Sequence, residues 1–106
     1  MTESEFSEIA DETLARIERS IEACGVEIDT ELRDGGVLEL EFENGSKIII
    51  NRHAVAREIW VAAKSGGYHF RHADGAWRNT RDNEELFAAL ERHIAQQAGA
   101  PVRLAW

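Results

Sequence analysis

The chain has one cysteine, Cys24, and one proline, Pro101, in 106 residues. A single cysteine excludes an internal disulfide and fits a reducing compartment. No apolar run is long enough to span a bilayer. The opening MTESEFSE lacks the basic-then-apolar layout of a secretory signal and the Arg-rich pattern of a transit peptide, so a cytoplasmic protein is expected. There is no P-loop, G-x-G-x-x-G, Cys-x-x-Cys, EF-hand loop or Ser/His/Asp grouping, and an enzyme is not expected. Basic residues are scarce in the first part of the chain. Residues 1–43 carry fourteen Asp/Glu against three Arg, while residues 44–106 carry six against nine Lys/Arg. The net charge of −8 therefore belongs to the first part. That distribution lacks the basic footprint of nucleic-acid binding and favours cations or a basic protein surface as partners.

What is present is a strand meander between two helices. Val37 to Glu43 alternates apolar and acidic residues, Asn44-Gly45 reads as a two-residue type I′ hairpin turn, and Lys47-Ile48-Ile49-Ile50 follows as a β-branched strand. Ile59 to Ala63 is a second strand signal closing at Ser65-Gly66-Gly67, and Tyr68-His69-Phe70 leads into a third. Ala73-Asp74-Gly75 marks a turn before a short strand begun by Trp77. Upstream, Glu27 to Leu32 alternates with Glu27, Asp29 and Glu31 on one face and Ile28 and Leu32 on the other, and Asp34-Gly35-Gly36 turns the chain.

Thr2 or Ser4 can cap a first helix whose apolar stripe runs Phe6, Ile9, Ala10, Thr13, Leu14, Ile17, Ile21 and Cys24, with Gly25 ending it. Cys24 on this stripe reads as a small buried hydrophobe. Asp82 and Glu85 have capping-box spacing for a second helix carrying Leu86, Phe87, Leu90, Ile94 and Ala98, stopped by Gly99 and Pro101. The tail Val102 to Trp106 is apolar enough to dock in the groove between the helices. Two helices bracketing antiparallel strands imply one α+β domain over residues 1–106, a two-layer sandwich with both helices on one sheet face and the other face in water.

On the first helix Glu8, Asp11, Glu18 and Glu22 share an arc of about 80°, with Glu5 and Glu12 beside it. Together with Glu3 near the helix start and Glu27, Asp29 and Glu31 of the next strand they make a candidate acidic ridge. Such a run is ordinarily a solvated face. Against that, like charges at i, i+4 destabilise a helix, so stability alone would mix the signs. Carboxylate oxygens suit hard cations, and side chains at i, i+3 and i+4 offer two or three ligands with water completing the shell. Weak binding at several sites is expected. His69 and His72, three apart on a strand, point to opposite faces and cannot share a metal.

The motifs ENGSKIIINR, the following strand with Trp60, and GGYHF resemble the bacterial frataxin (CyaY) family, from Ser4-Glu5-Phe6 to Gln96-Gln97-Ala98-Gly99. The resemblance implies the same helix–strands–helix fold. It implies a protein that binds iron, Fe²⁺ and Fe³⁺, weakly at its surface, other divalent cations competing. It implies a regulatory role in iron–sulfur cluster assembly through a cysteine desulfurase and a scaffold protein, with Glu18 and Glu22 of the ridge and Asn51, Arg52 and Trp60 as partner contacts. Glu3, Glu5, Asp11, Glu18, Glu22, Glu27, Asp29 and Glu31 stand where the family carries acids. Ser7, Arg19, Ala23, His53, Val55 and Glu58 depart from its pattern. A monomer in the absence of iron is expected. Two alternatives stay open: an oligomer that stores or oxidises iron, and an acidic interaction domain that needs no metal. The strand alternation places Trp60 on the uncovered sheet face, where its loss should cost little stability.

Overall fold

The computed structural model describes all of residues 1–106. The elements run α1 (Glu3–Glu22), β1 (Ile28–Arg33), β2 (Val37–Phe42), β3 (Lys47–His53), β4 (Glu58–Ala63), β5 (Gly66–Ala73), β6 (Ala76–Asn79) and α2 (Leu86–Ala98). The six strands form one antiparallel sheet in sequential order. Both helices lie on one face, α1 over β1–β3 and α2 toward β6. The alternation of β2 decides which face is covered: Leu38, Leu40 and Phe42 are buried while Glu39 and Glu41 point away. Ile48, Ile50, Ile59, Val61 and Phe70 continue the buried side, and α1 closes it with Phe6, Ala10, Leu14, Ile17 and Ile21. Trp77 of β6 packs edge-on against Phe6, and its indole N–H donates to Thr13 Oγ1 at 3.0 Å. That bond satisfies a polar atom which would be costly to bury alone. No helix is long and apolar enough to cross a membrane.

Several turns differ from expectation. Asn44-Gly45 does not form the expected type I′ turn, because of the two only Gly45, at φ +86°, has positive φ. The Gly45 N–H donates to Phe42 O and the Phe42 N–H to Ser46 O, giving a three-residue loop with a left-handed glycine. Asn44 turns inward instead: its Oδ1 accepts from Ser46 N and its Nδ2 donates to Gln97 O at 2.7 Å. A demand from α2 overrides the local turn preference. The two-residue turn with both residues left-handed is Asp74-Gly75, at φ +53° and +80°, between the paired Ala73 and Ala76. Gly66 and Gly67 belong to β5, and Lys64-Ser65 makes the turn.

Thr2 caps α1 through a full capping box with Glu5. At α2 the expected box is absent. Asp82 accepts from Glu84 N in a local turn, and Glu85 is the cap, accepting from Phe87 N and Ala88 N. The Asn79 N–H donates to Glu84 O and Glu85 bridges to Arg78, so the chain holds to the β6 edge before the helix can begin. Gly99 closes α2 in the left-handed conformation. The tail docks between the helices as expected: Val102 is buried and Trp106 stacks on Phe87 at 4.8 Å. Arg16 donates to Trp106 O and Ser20 to Ala105 O. Cys24 is half-buried at the core's rim rather than enclosed.

Candidate functional site

Ten carboxylates were candidates for the ridge, and their geometry sorts them into two groups. Three have partners, two of them local and one long-range. Glu5 accepts from Thr2 N at 2.9 Å, and the Thr2 backbone and side-chain bonds hold its carboxyl below the usual range. Asp11 is paired with Arg52 at 3.2 Å. Glu31 is clasped by Arg33 through Nε and Nη2, both at 3.2 Å, which lowers its carboxyl and raises the guanidinium. The other seven, Glu3, Glu8, Glu12, Glu18, Glu22, Glu27 and Asp29, have neither an ion pair nor a side-chain hydrogen bond. All are exposed except Glu18, which is half-buried.

The ridge is not one plane. Register pairs Ile28, Thr30 and Leu32 with Phe42, Leu40 and Leu38, which fixes those residues toward the helices. Asp29 and Glu31 consequently face the opposite side, directly across from Glu41 and Glu39. The acids of α1 and those of β1 thus flank the free edge of β1 from two sides. Arg33 and Lys47 offset Glu39, at 3.4 and 3.6 Å, on this open face. No three His, Cys, Asp or Glu side chains converge on one ion position. The arrangement is a concentrated field of hard oxygen donors, with pairs such as Glu18 and Glu22 one helical turn apart, rather than a closed chelate.

On the open face Asn51 lies directly across from Trp60. Arg52, expected beside them, points to the helix side: it opposes buried Ile59, and its guanidinium crosses the β1–β2 turn to Asp11. Period-two alternation makes that outcome unavoidable for adjacent residues. Trp60 is on the open face, as the alternation predicts, but it is not uncovered. Its ring is sandwiched between His53 at 3.8 Å and His69 at 4.3 Å. Its Nε1 donates to Glu58 Oε1 at 2.9 Å, and Glu58 Oε2 accepts from Arg71 at 2.7 Å. Burial pushes the Glu58 carboxyl up. The bonds from Trp60 and Arg71, with the charges of Arg71 and His69, outweigh that and leave it lowered.

This cluster of His53, Glu58, Trp60, His69 and Arg71 was missed from the sequence. Its members come from three strands, and only the pairings His53 with Glu58, Glu58 with Arg71 and Trp60 with His69 join them. Those pairings depend on turn lengths that local signals misread. His69 and His72 do face opposite ways; His72 packs edge-on against Trp77 beneath the sheet. His93 is fully buried in α2 against Tyr68, and its Nε2 has no hydrogen-bond partner.

A family model described as a frataxin-like domain matches residues 1–100. The iron-sulfur cluster assembly protein CyaY of Dechloromonas aromatica is 53% identical over 98% of this chain and 99% of its own. That of Paraburkholderia phymatum is 53% identical over 99% of both. The frataxin of Psychromonas ingrahamii superimposes with a TM-score of 0.88 at 35% identity, covering 96% of each chain. Trimeric yeast frataxin complexed with ferrous iron superimposes with a TM-score of 0.69 at 27% identity, covering 93% of this chain and 88% of that one. Motifs, six-stranded sandwich and full-length identity agree: the chain belongs to the frataxin-like CyaY family.

Proposed function

We propose that this protein is an accessory factor of iron–sulfur cluster assembly in the cytoplasm. It binds iron weakly at the α1–β1 edge, has no reaction of its own, and adjusts a cysteine desulfurase–scaffold complex. The relatives named for cluster assembly support the pathway. One observation carries the site: seven carboxylates of that edge are unpartnered, whereas beyond Asn44 every acid except Asp74 has a hydrogen-bond or ion-pair partner. Free carboxylates at helical spacing suit Fe²⁺, Fe³⁺ and other hard cations, each ion taking two or three oxygens and keeping water on the rest. The same charge steers a basic partner surface over about a Debye length, ~8 Å at physiological ionic strength. Asn51 and Trp60 would meet the partner on the open face.

The test is binding of the desulfurase–scaffold complex across a salt series, with and without Fe²⁺. Affinity is expected to fall steeply with salt and to vanish when Glu18 and Glu22 are both changed to Lys. Unchanged affinity in that variant sinks the edge as a docking surface. A second reading, iron storage in an oligomer, is favoured by the trimeric yeast relative. Sedimentation during iron loading separates the two, since only storage requires assembly.

A further inference from the structure

Arg52 is the one sheet cation that touches the acids of α1. It starts in β3, on the helix side, and its Nη1 reaches Asp11 Oδ2 at 3.2 Å. On the way its Nε donates to Gly35 O at 3.3 Å, and its own N–H donates to Gly36 O at 2.9 Å. Gly36 is buried with φ at +77°, and a Cβ there would collide with Nε, Cγ and Cδ of Arg52. The β1–β2 turn is therefore shaped around this side chain. Three elements, α1, the turn and β3, meet at one guanidinium. The carboxylate end is loose: the Asp11 side chain is 55% exposed, against 24% for Arg52. Exposed ion pairs are weak and easily exchanged for another cation.

We propose that Arg52 is a built-in counter-cation of the acidic edge, displaced from Asp11 when a multivalent cation binds there, and that its release loosens the β1–β2 turn. The inference rests on the cation-binding reading of that edge. A multivalent ion held by Asp11 with Glu8, one turn away, offers that carboxylate more charge than a guanidinium does. A monovalent ion does not. Arg52 thus makes Asp11 respond to the charge of the ion, and the turn reports occupancy. The report reaches Asn51, whose Nδ2 donates to Arg52 O at 3.3 Å and whose strand partner is Trp60.

The experiment is a Ca²⁺ titration of the full chain followed by backbone and Arg Nε–H nitrogen–proton NMR, repeated with Na⁺ at matched ionic strength. In the wild type the amides of residues 8–12 are expected to shift with the same midpoint as Arg52 Nε–H and the Gly36 amide, and Na⁺ should leave the last two in place. Asp11→Asn should silence Arg52 and Gly36 while residues 18–22 still respond. Arg52→Gln should tighten Ca²⁺ at residues 8–12 by about two- to fivefold, the factor matching a surface ion pair. If residues 8–12 shift while Arg52 Nε–H and Gly36 stay fixed, or if Na⁺ moves them equally, the counter-cation role is overturned and the edge still binds cations. If no residue of 3–31 shifts in any variant, the cation-binding reading falls and this inference with it.

Discussion

Trp60 shows how far one residue's role depends on its neighbours. An uncovered Trp would tolerate truncation at a cost of around 1 kcal/mol or less. Here two imidazoles cover its faces and its N–H satisfies the buried carboxylate of Glu58. Trp60→Ala is expected to cost about 2 kcal/mol, between a surface change and a core cavity, because it strips packing and leaves Glu58 short of a donor. Urea melts decide it, and a cost near zero would mean the stack does not persist in solution. His93 belongs to the same scale. Burial, aided by the Arg92 charge, holds its imidazole below the ordinary value of 6.5. The unfolded chain then takes up a proton that the folded chain refuses, so His93's contribution is complete above pH 6.5 and declines as pH falls below it. The stability lost between pH 7.5 and 5.5 should be smaller in His93→Leu than in the wild type, the remaining histidines being common to both. Equal losses would show that His93 is accessible to protons when folded.

Helix stripes and strand alternation are legible because they repeat: six of the eight residues of the expected α1 stripe, among them Phe6, Leu14 and Ile17, are buried, and Ile9 and Cys24 are half-buried. Caps and turns were less so, because each depends on one or two residues that the tertiary structure can reassign. The start of α2 is the clearest case. Asp82 matches a capping box by spacing, yet the chain stays hydrogen-bonded to β6 through Asn79 and Glu84, and Glu85 takes the cap. Glu85→Ala should therefore cost about 1 kcal/mol, and Asp82→Ala about half of that or less. Equal losses in thermal melts would place the helix start back at Asp82. The left-handed Gly45 follows the same logic, with Asn44 recruited by Gln97 O of α2.

At the scale of the molecule the unpaired edge is a stability cost that a cation can lift. Folding gathers Glu8, Glu12, Glu18 and Glu22 on one helix, with Glu27 and Asp29 next in the chain, and none has a basic partner. Changing Glu18 and Glu22 together to Gln should raise the melting temperature by about 2–4 °C in low salt, since each like-charge contact is worth a few tenths of a kcal/mol. The same variant should gain less from added Ca²⁺ than the wild type does. A lower melting temperature would mean these acids support the fold.

The sequence by itself determined the two-layer architecture, the covered face, the acidic first part and the family resemblance. Each is written as a period or a density that many residues vote for at once, so no single contact can overturn it. Only the tertiary structure decided which acids are free. Asp11 and Glu31 look no different from Glu8 and Asp29 in the chain, but Arg52 and Arg33 reach the first two and nothing reaches the others. It also decided that Trp60 is sandwiched. Pairing across antiparallel strands brings His53, Glu58, His69 and Arg71 around it, and that pairing is set by turn geometry, where short-range preference is weakest and long-range contacts prevail.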